Sequence, residues 1–284
     1  MEDNNKTAYR LGKMNQLEVL RLVSIGAYVD GGNGAEILVP KKYLPDDIES
    51  GDLLDVFIYH DNEGRLIGTT LHPVAEVGDA ALMTCVGTTD AGAFMDWGIH
   101  KDIFVPFKEQ KTLIHEGDEF VVYLYIDLIS RKIVGSTKIN KHIGNLIPDY
   151  KPGAAVKAIV YEKNEVGFKV IVDSKYKGII YRNECPMPLN IGAELTAYVV
   201  RMREDDKLDL SIKPVGYDKV SSGSDKLMRL LHRNGGTLPI GDKSDPDQIE
   251  ALTGMSKKTF KMVAGALYKQ KIVEIEPFSI KIIN

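Results

Sequence analysis

Between residues 12 and 213 the chain runs in short alternations of apolar and polar residues, broken by turns rich in Gly, Asp and Asn. Val156, Ala158 and Val160 alternate with Lys157, Ile159 and Tyr161. That period of two predicts a half-buried antiparallel strand. Nearer the start, residues 17–23 lead into residues 26–30, and Gly31-Gly32-Asn33-Gly34 makes a tight turn. Gly and Asn suit it because they accept positive φ without a steric penalty. Residues 37–39 and 53–59 follow as strands, then an Asp61-Asn62-Glu63-Gly64 turn, then residues 66–71. The same series recurs between residues 80 and 139 and between residues 154 and 213.

A glycine pair marks each copy. Gly26 and Gly51, Gly92 and Gly117, and Gly167 and Gly192 are each 25 residues apart. A repeat at fixed spacing decides architecture before any single motif does. About sixty residues with five short strands predict a closed Greek-key barrel of the OB type. The chain is therefore expected to be mainly β, with three tandem OB barrels at 12–76, 77–150 and 151–216. The glycine cluster at 31–34 is no phosphate loop, since no Gly-Lys-Ser/Thr follows it.

The rhythm changes beyond residue 216, and residues 217–284 are expected to form a small α+β domain. Ser221-Ser222-Gly223-Ser224 reads as a short flexible break. Residues 226–233 then place Leu227, Leu230 and Leu231 on one helical face and stop at Gly235-Gly236. Asp245 is placed to cap a second helix with Pro246 at its first position, presenting Ile249 and Leu252 and ending at Gly254. Ser256 caps a third, in which Phe260, Val263, Ala264 and Leu267 form the apolar stripe. Two short strands broken at Pro277 close the pattern as a hairpin. Three helices and a hairpin predict a winged helix, whose third helix commonly faces nucleic acid. Lys257, Lys258 and Lys261 lie outside its stripe, where free N–H groups also attract anions.

Composition changes this picture little, and charge refines it. No apolar run approaches the ~20 residues that cross a bilayer, and residues 1–10 are polar, so neither a membrane span nor a secretory leader is expected. Cys85 and Cys185 form no CxxC pair, and the six histidines show no ligand spacing. No metal or cofactor is expected, and a reducing, cytoplasmic setting is. The net charge of −4 divides unevenly: −6 over residues 12–76, −3 over 77–150, +2 over 151–216 and +3 over 217–284. Phosphate binding follows local potential rather than the total, which points to the last two segments.

Gly26-Ala27-Tyr28-Val29-Asp30, Gly178-Ile179-Ile180-Tyr181-Arg182-Asn183-Glu184 and Lys207-Leu208-Asp209-Leu210-Ser211 resemble the elements of the S1 RNA-binding domain. The resemblance implies single-stranded RNA on one barrel face, by stacking on aromatics and by basic contacts to phosphate. Carried over by position, the stacking aromatic falls on Tyr28, Phe94 and Lys169, and the histidine on Pro40, Pro106 and Tyr181. The late Asp and Arg fall on Asp61 and Arg65, on Asp127 and Lys132, and on Arg203 and Lys207. The third unit carries the richest set, with Phe168, Lys169, Tyr181, Arg182, Arg201, Arg203 and Lys207. Its alternative is a solvated strand face, as ring packing against the barrel is for Tyr28 and Phe94.

Three S1-like units before a winged helix resemble the conserved virulence factor B (YitL) family of bacterial RNA-binding proteins. Asp242-Lys243-Ser244-Asp245-Pro246, Ser256-Lys257-Lys258-Thr259-Phe260-Lys261 and Gly265-Ala266-Leu267-Tyr268-Lys269-Gln270 are the most specific stretches. The resemblance implies a cytoplasmic RNA-binding protein that influences gene expression. A ribonuclease would need a carboxylate set for metal or an acid/base pair in a cleft. The densest acidic run, Asp46, Asp47, Glu49, Asp52 and Asp55, instead sits in a loop leading into a strand, and no enzyme is expected. The remaining class is a scaffold whose acidic first two barrels dock a basic ribosomal or polymerase surface.

Overall fold

The computed structural model describes residues 8–185, 187–214 and 217–283, with the backbone alone for residues 217–222. Residues 1–7 of the polar amino end lie outside the described residues. The chain divides into two compact units, residues 1–212 and residues 213–284.

The first unit holds three copies of one five-stranded module. β1 (Met14–Val23), β2 (Gly26–Asp30), β3 (Glu36–Pro40), β4 (Leu53–His60) and β5 (Leu66–Thr69) close into a barrel of order β1-β2-β3-β5-β4. β6 (Ala80–Thr88), β7 (Gly92–Met95), β8 (Ile103–Pro106), β9 (Glu119–Ile126) and β10 (Ile133–Ser136) repeat it. So do β11 (Ala155–Lys163), β12 (Gly167–Val172), β13 (Tyr176–Tyr181), β14 (Glu194–Met202) and β15 (Leu208–Ser211). The third copy closes like the first, by a parallel seam between β13 and β15. The second corrects the expectation of closure: its order β10-β9-β6-β7-β8 leaves the seam unladdered. Both seam strands there, β8 and β10, are only four residues long.

The glycine repeat has a steric cause. Gly26 pairs with Pro40, Gly92 with Pro106 and Gly167 with Tyr181. A Cβ at these glycines would lie 2.0 Å from Val39 O, 2.4 Å from Val105 O and 2.3 Å from Ile180 O. Only glycine lets the facing backbone come that close. The second glycines, Gly51, Gly117 and Gly192, have φ of 97°, 87° and 81°. They donate to Val19 O, Cys85 O and Val160 O respectively, so one turn is used three times.

Side chains at the seam are exchanged in size. Gly68 and Gly135 sit on β5 and β10, where a Cβ would meet Val39 and Val105 side chains at 2.9 and 2.8 Å. In the third barrel the glycine is Gly178 on β13, and Leu210 on β15 fills the space, 2.7 Å from where its Cβ would be. Volume is conserved across the seam while its bearer changes strand.

The barrels pack on one another. Phe57 and Tyr59 of β4 join Trp97, Ile99 and Ile103 of the second copy in one buried cluster. Phe57 and Trp97 meet edge to face at 5.2 Å, and the indole N–H donates to Ala75 O at 2.7 Å. Between the second and third copies, Val121, Ile139, Ile143, Ile159 and Ile171 are buried together, with Tyr123 and Tyr161 against them. Ile159 and Tyr161 thus leave the polar role that alternation assigned them, because a neighbouring barrel covers that face.

In the second unit α1 (Tyr217–Arg233), β16 (Thr237–Leu238), α2 (Pro246–Thr253), α3 (Lys257–Lys269), β17 (Val273–Ile275) and β18 (Ile280–Ile282) form a winged helix. Its core holds Leu227, Leu231, Ile249, Phe260, Val263, Ala264 and Leu267. Asp245 accepts from Asp247 N, Ser256 accepts from Thr259 N, and Gly254 ends α2 at φ 64°, as the capping pattern predicts. The expected break at Ser221-Ser222-Gly223-Ser224 lies inside α1 instead. Gly223 is there for contact: its Cβ would stand 2.5 Å from Val263 Cγ2, so it lets α1 approach α3. Leu252 is exposed rather than core, and β16 adds a third strand beside β18.

Candidate nucleic-acid interface

One residue per strand on the third barrel builds a row that is charged at every position but Ile179. Lys169 pairs with Ile179, Ile179 with Asp209, and Asp209 with Arg201 across β12, β13, β15 and β14. Asp209 is only 4% exposed. Its carboxylate accepts from Tyr181 Oη at 3.0 Å and from Arg201 Nε at 2.7 Å. One buried carboxylate therefore orients a phenol ring and a guanidinium toward the same face, a charge-assisted arrangement. Arg182 donates twice to Asn164 O, at 3.1 and 2.9 Å, at the rim. Arg203 and Lys207 both pair with Asp205, at 3.2 and 2.7 Å.

Phe168 does not join them. It is 3% exposed and sits in the core of the third barrel with Val156, Val160 and Ile180. Lys169 points outward, so its neighbour must point inward on a pleated strand. Phe168 is a packing residue.

β11 carries a bulge between Val160 and Glu162, at the place where β1 and β6 also shift register. A bulge leaves one residue unpaired and re-aims it. Here it is Tyr161, whose hydroxyl donates to Asn140 Oδ1 at 3.0 Å. Burial pushes its phenol up to about 12, so it stays protonated at neutral pH. Tyr161 and Asn140 are shared by two adjoining concavities of ≈ 670 and ≈ 660 Å³. The first is lined by Lys111, Lys138, Lys141 and Lys163, the second by Lys169, Lys177, Arg203, Lys207 and Tyr181. Together they make a basic groove along the junction of the second and third barrels.

The groove's cations differ in how tightly they are held. Glu162 takes both Lys111 at 2.6 Å and Lys169 at 2.8 Å. Burial would raise its carboxyl, but the hydrogen bonds from these two lysines outweigh that and hold it below the usual range. Lys141 is paired with buried Glu109. Among the described residues, Lys177 and Lys138 donate to carbonyls, Asn140 O at 3.1 Å and Lys108 O at 2.7 Å. Lys111, Lys138, Lys141, Lys177 and Tyr161 were not among the sequence-derived candidates. Three of them belong to an acidic segment, and only folding gathers them.

Tyr28 and Phe94 are not part of the lining of this groove. Tyr28 has the Arg21 guanidinium 4.2 Å from its ring centre, and Arg21 also pairs with Glu36 at 2.8 Å. One face of the ring is therefore covered by this guanidinium. Phe94 lies 5.2 Å from Phe104 in a cleft beside the first barrel. The carried-over Asp61 and Arg65 form a turn pair at 2.6 Å, and Asp127 accepts from Ser130 N at 2.8 Å. On α3, Lys257 donates to Ser244 O at 2.7 Å and Lys261 pairs with Asp242 at 2.8 Å. Lys258 is exposed with no ion-pair partner among the described residues. Among the described residues no group of three or more His, Cys, Asp or Glu is placed to hold a metal.

Three stretches of the chain match known family models. Residues 11–71 match the family model for the S1 domain. Residues 151–214 match that for the second domain of the virulence regulatory factor CvfB, and residues 225–282 the CvfB-like winged helix domain. The chain is similar to conserved virulence factor B of Staphylococcus aureus, 27% identical over 280 residues, covering 94% of this chain and 92% of the relative. It is 26% identical over 275 residues to that of Staphylococcus haemolyticus, with the same coverage. A crystal structure of a multidomain protein with nucleic acid binding domains from Streptococcus pneumoniae aligns over 96% of this chain and 98% of that one. Its identity is 25% and its TM-score 0.41.

Proposed function

We propose, for a chain that belongs to the conserved virulence factor B family, a non-enzymatic, cytoplasmic protein that binds single-stranded RNA and influences gene expression after transcription. Four modules, residues 12–76, 77–150, 151–216 and 217–284, would divide the work. The groove between the second and third barrels is the main RNA surface, and Lys258 at the start of α3 adds a phosphate contact. The observation that carries this reading is the groove itself, in which Lys and Arg from two barrels surround Tyr161 and Tyr181. Cations along a track with aromatic faces between them are what sequence-tolerant single-strand binding requires.

The test is filter binding of a labelled single strand to the whole chain and to the variant carrying Lys169→Ala, Lys177→Ala and Lys207→Ala. The reading expects a large loss of affinity and a shallower salt dependence, by about 0.7 in slope per phosphate contact removed. Unchanged affinity and slope in a folded variant would contradict it. The second reading, a scaffold for a basic protein, is favoured by one feature: Asp46, Asp47, Glu49, Asp52 and Asp55 are all exposed. Capture of a basic protein that depends on these five, with RNA binding absent, would select it.

A further inference from the structure

We propose that buried Glu109 is a positioning residue for the groove: by clamping residues 139–144, which join the second and third barrels, it fixes where Tyr161 and Lys177 stand. Its role in binding rests on the function proposed above; the clamp itself does not. Glu109 closes a short turn, Phe107–Glu109, directly after β8. Its carboxylate accepts from Ser136 Oγ at 2.8 Å, at the end of β10. The third barrel repeats that bond between Glu184 and Ser211 at 3.1 Å, so it belongs to the module. Glu109 is further bonded to two residues beyond the last strand of its barrel. Lys141 pairs with Oε1, and the Nε2–H of His142 donates to Oε2 at 3.3 Å. The His142 ring lies against Tyr123 at 5.3 Å and Tyr125 at 4.4 Å. A carboxylate that is 1% exposed needs such partners, because a buried charge left unpaired is costly. The joining segment is thus held to the second barrel by a charge that requires it.

The same segment carries groove residues of the third barrel. Ile139 and Ile143 are buried with Ile159 and Ile171. Between them, Asn140 accepts from Tyr161 Oη at its Oδ1, at 3.0 Å, and from Lys177 Nζ at its backbone carbonyl, at 3.1 Å. Gly144, at φ 79°, donates to Lys175 O at 2.9 Å. A Cβ on Gly144 would stand 2.7 Å from both Cδ and Cε of Lys177, so the stem of that lysine lies directly on the segment. Lys141 and His142 therefore reach back to Glu109 while Asn140 and Gly144 set the phenol and the ammonium. A side chain ordered before binding spares the entropy of ordering it on the ligand. Loosening the clamp returns that cost without removing the cation.

The experiment uses the whole chain and the variants His142→Phe, Glu109→Gln and Lys177→Ala, with thermal unfolding to confirm each fold. His142→Phe keeps a ring between the tyrosines and removes only the bond to Glu109. Limited acetylation, read by mass spectrometry, reports how freely Lys177 reacts relative to Lys258 in the winged helix. Filter binding of a single strand over a range of salt reports affinity and slope. Both clamp variants should raise the labelling of Lys177. Glu109→Gln is read by labelling alone, because it also frees Lys141 for phosphate, and it keeps the test sound should His142→Phe be unstable. His142→Phe should weaken RNA binding about two- to 13-fold, the cost of ordering one long side chain, with the salt slope unchanged. Lys177→Ala should instead lower the slope by about 0.7. Wild-type labelling of Lys177 in the folded clamp variants overturns the proposal. So does wild-type RNA affinity in His142→Phe when Lys177→Ala weakens binding, and the groove then stands without the clamp. If RNA binding ignores Lys177 while labelling rises in both clamp variants, the groove falls as an RNA surface and the clamp remains as the joint between the barrels.

Discussion

Replacing Glu162 by Gln should strengthen RNA binding, the reverse of what loss of a polar contact usually does. Glu162 holds two groove cations at once, Lys111 at 2.6 Å and Lys169 at 2.8 Å. While paired, neither is fully available to a phosphate. The glutamine keeps the shape and removes the charge, so both lysines can be taken up by the strand. Each cation newly engaged on a single strand adds about 0.7 to the slope of log K against log salt, so the pair adds up to about 1.4. At 0.1 M salt, with 1 M as the common reference, that amounts to a gain of about 25-fold. The cost is small: Lys111 is more than half exposed, and exposed pairs are worth about 0–1 kcal/mol. Filter binding of a single strand from 50 to 500 mM salt, with thermal unfolding alongside, reads both quantities. A folded Glu162→Gln protein with wild-type affinity and slope would refute the idea that RNA follows this groove.

Three further outcomes are expected. Phe168→Ala should cost about 3–5 kcal/mol of stability, as loss of a buried phenyl does, yet leave the affinity of the folded fraction unchanged; weaker binding at full stability would restore the ring to the RNA surface. Glu109 is 1% exposed, and although burial pushes its carboxyl up, hydrogen bonds from Lys141, Ser136 and His142 bring it down to about 2. Because the folded value lies below the unfolded one, its stabilisation is complete above about pH 4.5 and fades as pH falls toward 2. The gap in unfolding temperature between wild type and Glu109→Gln should therefore narrow from pH 6 to pH 3, and a constant gap would contradict the assignment. On α3, Lys258→Ala should reduce the salt slope by about 0.7, while Lys261→Ala, whose ammonium is held by Asp242 at 2.8 Å, should change it less; equal effects would mean that the pairing is irrelevant to binding.

The repeat was legible because its causes are local. A glycine whose Cβ would stand 2.0–2.4 Å from a carbonyl oxygen, or one holding φ near 90°, leaves its mark at one position whatever the rest of the chain does. The same holds for the caps Asp245 and Ser256, whose partners are two and three residues away. What stayed hidden depends on distant segments. Ile159 and Tyr161 look like an outer strand face until the second barrel covers them. Lys111, Lys138 and Lys141 were discounted with the net charge of their segment, although potential follows position in space rather than in sequence. Phe168 is a different case, since strand alternation already sets it inward once Lys169 is outward. Gly223 shows how a residue that reads as a breaker can be required for contact: α1 passes through it to reach Val263.

The central claim, that single-stranded RNA lies in the groove between the second and third barrels, is tested most directly by photo-crosslinking. A strand bearing 4-thiouridine would be irradiated with the whole chain and the adducts located by mass spectrometry. The account predicts adducts at Tyr161 and Tyr181, lost when Lys169, Lys177 and Lys207 are replaced by Ala. Adducts confined to the first barrel, or unaffected by those replacements, would contradict it.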